Sequence, residues 1–237
     1  MKLLLLQARN PDDPMGAHEV QCFVDRCDVP PSTVVPHDLL GGPPTMEQVR
    51  QHDALLIGGS GDYYVSKGNL PKWPAFCDFL LELVAAGHPT FASCFGYQSI
   101  IHALGGSVIN DPPNTEVGTF ALELTGAGRD DPLLGQLPPS FLAQMGHKDR
   151  AATLPEGIDN LASSPRAPLQ ALRIPDKPIW ATQFHPELDR KTNLERFDRY
   201  LEGYAKYMSA QEQATARAEF RESPGASALL RKFLTLI

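Results

Sequence analysis

Cysteine is scarce in this sequence: there are 4 among 237 residues, and no two of them form a Cys-x-x-Cys pair. Without such a pair, or a histidine at zinc-ligand spacing, the sequence predicts neither a zinc site nor a disulfide framework. Cys22, Cys27 and Cys77 fall in apolar segments with helical spacing. We expect these three to be reduced core residues of a cytoplasmic protein.

Long apolar runs and basic clusters are also missing. No segment approaches the ~20 apolar residues that cross a bilayer, and the apolar run at residues 3 to 6 is too short for a signal peptide. The net charge is −7, with no basic run that could follow a nucleic acid or an anionic membrane. We therefore expect no membrane, nucleic acid, metal or cofactor, and instead a small-molecule substrate.

Strand and helix patterns alternate along the first part of the chain. Apolar runs at residues 2 to 7, 32 to 36, 53 to 57 and 88 to 93 predict strands, with helices between them. Residues 54 to 57 are apolar at every position, which indicates a strand covered on both faces and hence a parallel sheet. The sequence predicts an α/β fold, doubly wound, with a mostly parallel central sheet and flanking helices.

The second part of the chain has a different character. Residues 105 to 178 contain short segments with alternating apolar residues between many prolines and glycines, which predicts a smaller antiparallel portion. Residues 179 to 184 then rejoin the sheet as a strand, and helical spacing begins at Asn193.

We divide the chain into one domain at residues 1 to 207 and a C-terminal helical extension at residues 208 to 237. The extension has a charged helix, a break near Pro224 and an amphipathic stretch that contains Leu229 and Phe233. Two interpretations remain open. The extension could fold onto its own domain, or it could contact a partner or a second copy, which makes a homo-oligomer possible.

The strand at residues 88 to 93 stops at Cys94 and is followed at once by a helix. Small residues surround the cysteine, namely Ala92, Ser93 and Gly96. A strained strand-to-helix turn, or nucleophile elbow, needs such small neighbours. The helix N-terminus would also favour the thiolate over the thiol, so Cys94 is the candidate nucleophile.

A base for this cysteine is found after another strand, in the segment Phe184-His185-Pro186-Glu187. Pro186 ends the strand, and Glu187 stands two positions beyond the histidine, on the same side of an extended backbone. The carboxylate could hold the imidazole in one tautomer. Cys94, His185 and Glu187 therefore form a candidate catalytic triad.

These two segments resemble the class I glutamine amidotransferase family, whose elbow reads Gly-x-Cys-x-Gly-x-Gln and whose second motif reads His-Pro-Glu. The resemblance covers roughly residues 1 to 205 and implies a flavodoxin-like sheet. A third match is the strand and glycine-rich turn at residues 55 to 62. By this resemblance, the N–H groups of Gly59 and Phe95 would form the oxyanion hole.

The family also implies a glutamine pocket. Gln98 and Gly58 would contact the substrate, and the segment from Gln144 to Asp149 is similar to the family's loop that ends in His-x-Asp, so that Gln144, Gly146 and His147 would line the pocket. The sequence departs from the family at two positions. Ala92 replaces the first elbow glycine, and Ser60 replaces the proline after the Gly-Gly pair.

Three functions remain open at this point. In the first, the chain cleaves the γ-amide of glutamine through a Cys94 γ-glutamyl thioester and passes ammonia to a separate synthetase subunit, because no Gly-x-x-x-x-Gly-Lys-Ser/Thr loop for ATP is present. In the second, it is a stand-alone γ-glutamyl peptidase or hydrolase. In the third, it is a non-catalytic relative that binds a ligand or regulates a partner.

Overall fold

The computed structural model describes residues 1–205 and 208–237. The predicted boundary between residues 207 and 208 falls at Lys206 and Tyr207, which lie outside the described residues. The strands are β1 Leu3–Ala8, β2 Val34–Asp38, β3 Ala54–Ser60, β4 Thr90–Ser93, β5 Ser107–Asn110, β6 Glu116–Leu124, β7 Ser140–His147, β8 Asp149–Thr153, β9 Asn160–Ser163, β10 Ala171–Arg173 and β11 Ile179–Thr182. The helices are α1 Met15–Cys27, α2 Met46–Arg50, α3 Trp73–Ala86, α4 Phe95–Ala103, α5 Gly126–Asp130, α6 Arg190–Arg199, α7 Leu201–Tyr204, α8 Ala210–Ala218, α9 Pro224–Ser227 and α10 Leu229–Leu234.

A nine-stranded sheet forms the centre of the molecule, in the order β2-β1-β3-β4-β11-β10-β9-β6-β7. The strands from β2 to β11 in this order are parallel to one another, and those from β10 to β7 continue the sheet in antiparallel pairs. Strands β5 and β8 form a separate antiparallel pair. The predicted doubly wound α/β fold with a smaller antiparallel portion is confirmed.

Both faces of the sheet are buried, as the continuous apolar runs predict. In β1, Leu3 and Leu5 point into one hydrophobic cluster, whereas Leu4 and Leu6 point into a second cluster on the opposite face. Helices α1 and α10 contribute to the first cluster, and α3 and α4 contribute to the second. The alternation follows from the two-residue period of a strand.

The helix predicted from Asn193 begins three positions earlier, at Arg190. The side chain of Asp189 accepts a hydrogen bond from the N–H of Thr192, which caps the first turn. The helical path is interrupted at Tyr200, whose hydroxyl donates to Asp13 at 2.6 Å and is thereby held toward the end of β1. These contacts fix the start and the end of α6.

The extension at residues 208 to 237 contains the charged and the amphipathic helices that the sequence predicts, α8 and α10. Leu229, Leu230 and Phe233 are fully buried in the first hydrophobic cluster. The ring of Phe233 packs edge-on against Phe91 of β4 and Trp180 of β11, with centroid distances of 5.7 and 5.9 Å. The extension therefore uses its apolar side chains to cover strands of its own chain.

The change Phe233→Ala tests this packing. We expect it to lower the free energy of unfolding by ~3–5 kcal/mol, because it leaves a cavity beneath two strands of the central sheet. The matched control is Leu236→Ala, which truncates a side chain that is 40% exposed and should change stability by less than ~0.5 kcal/mol. Urea unfolding followed by circular dichroism measures both, and equal effects would contradict the buried position of Phe233.

Candidate active site

A pocket lies at the carboxyl ends of β3, β4 and β11, where open parallel sheets commonly bind their ligands. Cys94 directly follows β4, and His185 follows β11 after a short turn. Both side chains line this pocket. The other residues around it are Arg9, Ser60, Gly61, Tyr63, Tyr64, Phe95, Gln98, Gly146, His147, Lys148, Asp149, Arg196 and Tyr200.

The backbone at Cys94 has the strained turn that the sequence predicts. Its φ of 49° and ψ of −99° lie outside the regions that residues with a Cβ ordinarily adopt. Its N–H donates to the carbonyl of Thr182 at 2.8 Å, which ties the turn to β11. A Cβ added to Gly96 would lie 2.8 Å from the Cβ of Ile57, so only glycine fits where α4 starts across β3.

The thiol of Cys94 is buried, with 6% of the residue exposed. Burial, followed by the negative charge of Glu187, raises its pKa to about 12, although the N–H of Phe95 acts in the opposite direction. The N–H at the helix N-terminus thus favours the thiolate, as expected, but burial and Glu187 outweigh it and keep the thiol protonated. A neutral thiol of this kind needs a base to remove its proton.

The imidazole of His185 lies at the same pocket. Burial lowers its pKa, against the opposing effect of Glu187, and Nδ1 lies 2.6 Å from Oε1 of Glu187. Burial alone would favour the neutral acid of Glu187, but His185 and Arg196 hold its pKa at about 2. An ionised carboxylate accepts the Nδ1 proton, so Nε2 is the nitrogen left to accept another.

Cys94 and His185 line the same pocket but are not hydrogen-bonded to each other in the part of the chain that the structure describes. The sulfur instead accepts from Nε2 of Gln183 at 3.7 Å. General-base catalysis by this pair would require the thiol and Nε2 to come within hydrogen-bond distance.

Arg196 is a site residue that the sequence interpretation missed. It extends from α6, and its Nη1 lies 3.3 Å from both Nδ1 of His185 and Oε1 of Glu187. Its neighbours on the helix, Asn193 and Phe197, are buried. An arginine between buried helix positions was the one signal in the sequence that could have identified it.

The N–H of Gly59 does not have the position expected for an oxyanion donor. It donates to Oε1 of Glu19 at 3.1 Å. Glu19 is fully buried in α1 and also accepts from Arg9 at 2.8 Å. Because a buried carboxylate requires donors, Glu19 takes the N–H that the resemblance assigns to the oxyanion. Phe95, the second expected donor, does lie at the pocket, at the start of α4.

Two of the residues expected to contact substrate lie elsewhere. Gly58 packs against Glu19, since a Cβ added there would be 2.7 Å from its carboxylate. The side chain of Gln144 donates to the carbonyl of Arg221 and the hydroxyl of Ser223, both at 2.9 Å, and so fastens the C-terminal segment. Neither residue belongs to the lining of the pocket. Both expectations fail because other buried polar groups claim these positions.

Gln98, Gly146 and His147 do line the pocket. Gln98 donates through Nε2 to the carbonyl of Asp149 at 2.8 Å. His147 has both ring nitrogens engaged within the protein, Nδ1 with the same carbonyl and Nε2 with Glu116, each at 3.0 Å. The ring of His147 is therefore held rigidly at the pocket wall, and its nitrogens are not free to bind a ligand.

Across residues 1–205 and 208–237, no three or more His, Cys, Asp or Glu side chains converge as metal ligands would. Over the same residues, none of the helices combines the length and the apolar character that a bilayer-spanning helix requires.

Comparison with known proteins gives a family and a set of relatives. The family model "Glutamine amidotransferase class-I" matches residues 31–198. The chain is 32% identical over 186 residues to a GMP synthase [glutamine-hydrolyzing] of Thermosipho africanus, covering 78% of this chain and 34% of the relative. A protein of the same name from Porphyromonas gingivalis is 32% identical over 188 residues, or 79% and 33% of the two chains. This chain thus spans about a third of the curated relatives it matches.

Solved structures share the fold. A glutamine amidotransferase from Thermotoga maritima superposes with a TM-score of 0.73 at 17% identity, over 100% of this chain and 97% of that one. A glutamine amidotransferase from Methylobacillus flagellatus gives 0.73 at 18% identity, over 99% and 94%. At these identities the likeness establishes the architecture alone.

The elbow glycine provides a test of the site's backbone. We expect Gly96→Ala to lower the free energy of unfolding by ~1–3 kcal/mol, because the new methyl group overlaps Ile57. The control is Gly16→Ala in α1, where no atom lies within 4 Å of the added methyl; alanine there should be neutral or stabilising by up to ~1 kcal/mol. Denaturant unfolding measures both, and a neutral Gly96→Ala would contradict the close approach of α4 to β3.

Proposed function

This chain belongs to the class I glutamine amidotransferase family, and on that premise we propose that it hydrolyses the γ-amide of glutamine through a γ-glutamyl thioester on Cys94. The observation that carries the proposal is the pairing of His185 with Glu187 at the pocket that Cys94 lines. A buried thiol beside a neutral imidazole, which is itself oriented by a carboxylate, is the arrangement that nucleophilic acyl transfer requires.

In the first half of the reaction, Nε2 of His185 takes the thiol proton as sulfur attacks the amide carbon. The charge that develops on the carbonyl oxygen is met by the N–H of Phe95. Gly59 could supply a second donor only after its N–H leaves Glu19. The imidazolium, stabilised by Glu187, then protonates the leaving nitrogen, so that the carbon–nitrogen bond breaks and ammonia departs.

In the second half, His185 removes a proton from water, which attacks the thioester. The carbon–sulfur bond breaks, the thiol is regenerated and glutamate is released. Each proton that His185 accepts is returned within the same half-reaction, so the cycle needs neither a metal nor an external oxidant.

We propose further that a separate synthetase partner uses the ammonia. The support is that the similar curated proteins are named as glutamine-hydrolysing GMP synthases, and that this chain matches about a third of their length. The second candidate function is a stand-alone γ-glutamyl peptidase. It is favoured by the fact that Cys94 and His185 line a pocket formed by residues of this chain, so an amine other than ammonia could leave.

Mass spectrometry of the intact protein after incubation with glutamine tests the reaction. We expect a mass increase of one γ-glutamyl group on Cys94, and Cys94→Ala should abolish it and reduce hydrolysis by roughly 10⁴-fold or more. The matched control is Cys77→Ala, which removes a partly exposed thiol elsewhere. A panel of γ-glutamyl amides separates the two enzyme functions. Full activity in Cys94→Ala, or no labelling of Cys94 by any substrate, would refute both.

The pH dependence of kcat/KM provides a second test. His185 must be neutral to accept the thiol proton, and its pKa in the folded protein is lowered. Activity should therefore persist as the pH falls below the ordinary histidine value of about 6.5 and should decline only at the lower pKa of the buried imidazole. An acid limb above the ordinary value would contradict this electrostatic environment.

A further inference from the structure

We propose that Arg196 is a positioning residue of this site: its guanidinium holds the Glu187 carboxylate against Nδ1 of His185 and thereby fixes the tautomer whose Nε2 faces the substrate side. The expected effect on hydrolysis rests on the proposed function, whereas the expected effect on the protonation of His185 does not.

The geometry assigns the hydrogen bonds. Nδ1 of His185 lies 2.6 Å from Oε1 of Glu187, so the Nδ1 proton occupies that short contact. Nη1 of Arg196 is 3.3 Å from the same Oε1 and 3.3 Å from Nδ1. A protonated Nδ1 cannot accept a bond from Arg196, so the guanidinium donates to the carboxylate.

The charge balance explains why a cation is needed there. Two carboxylates, Glu187 and Glu19, are fully buried beside His185. Arg9 neutralises Glu19 at 2.8 Å, while Arg196 lies nearer to Glu187 than to Glu19, at 3.3 against 3.8 Å. Arg9 also pairs with Asp13 at 3.5 Å, and Asp13 pairs with Arg199 at 3.7 Å. Three carboxylates and three guanidinium groups therefore cancel with His185 neutral, and a buried ion deprived of its partner is costly.

The groups that face His185 from the surrounding elements are therefore Arg9 of the loop after β1, Glu19 of α1, Cys94 of the elbow, Glu187 of its own turn and Arg196 of α6. Loss of Arg196 leaves this set with one excess negative charge, which favours a proton on His185. The pKa of His185 agrees with this charge balance. Burial lowers it, Glu187 raises it, and the positive charge of Arg196 lowers it.

The contact also depends on where α6 begins. The cap between Asp189 and Thr192 fixes the first turn of the helix only a few positions after His185. Arg196 is 7% exposed, and its Nε and Nη2 have no hydrogen-bond partner among the described residues.

The test compares Arg196→Gln with Arg196→Lys, which retains the charge. The control is Lys191→Gln, which removes a positive charge from the same helix at a side chain that is 83% exposed. Histidine titration by NMR reports the protonation of His185 without any need for activity, and steady-state glutamine hydrolysis reports kcat and KM.

We expect Arg196→Gln to move the His185 titration and the acid limb of kcat/KM to higher pH, and to lower kcat roughly 10–100-fold with little change in KM. Arg196→Lys should recover most of the titration shift, and Lys191→Gln should match the wild type. An unchanged titration in folded Arg196→Gln would overturn the proposal. A rise in KM with kcat intact would also overturn it, because it would make Arg196 a substrate ligand.

If Arg196→Gln is too unstable to titrate, the thermal midpoint of the double variant Arg196→Gln with Glu187→Gln tests the proposal instead. It removes one charge of each sign, so the proposal requires a higher thermal midpoint than that of Arg196→Gln alone. A double variant that is no more stable would overturn it. The outcomes separate the two hypotheses: a titration shift without glutamine hydrolysis in the wild type would refute the proposed function and leave the role of Arg196 intact.

Discussion

A fully buried carboxylate is the constraint on which this site depends. Glu187 can remain ionised out of water only because His185 and Arg196 contact the same oxygen, at 2.6 and 3.3 Å. Glu19 has the same requirement and meets it with Arg9. These side chains come from the loop after β1, from α1, from the turn after β11 and from α6. The charge balance therefore fixes how the elements on this side of the sheet dock against one another.

Much of the architecture could be predicted because its signals are local and periodic. Continuous apolar runs such as Leu3 to Leu6 identify strands that are covered on both faces, and the structure places alternate leucines in separate clusters. The elbow at Cys94 can be recognised from its small neighbours, because larger side chains do not fit beside a strained turn. The proline after His185 marks the end of its strand in the same direct way.

The rest depends on packing between distant segments, which no local pattern encodes. Charged residues on helices are ordinarily solvated, so Glu19 and Arg196 gave little indication that they would be buried against the imidazole. The direction of the Gly59 N–H depends on how its peptide group is turned, and here the hydrogen bond to Glu19 sets that orientation. The motif predicts Gln144 as a substrate contact, yet its side-chain amide donates to a carbonyl of the C-terminal segment. Motif spacing predicted that Cys94 and His185 meet at one pocket, but it did not predict the contacts that surround them.

The hydrogen bond between Arg9 and Tyr200 joins positions 191 apart in the chain. Contacts of such long range carry the entropy of closing a large loop and form slowly in folding. The imidazole thus acquires its balanced surroundings only when α6 has returned to the end of β1. A transient detachment of that one helix would remove the cation beside Glu187, so the charge balance around the imidazole is tied to this long-range loop closure.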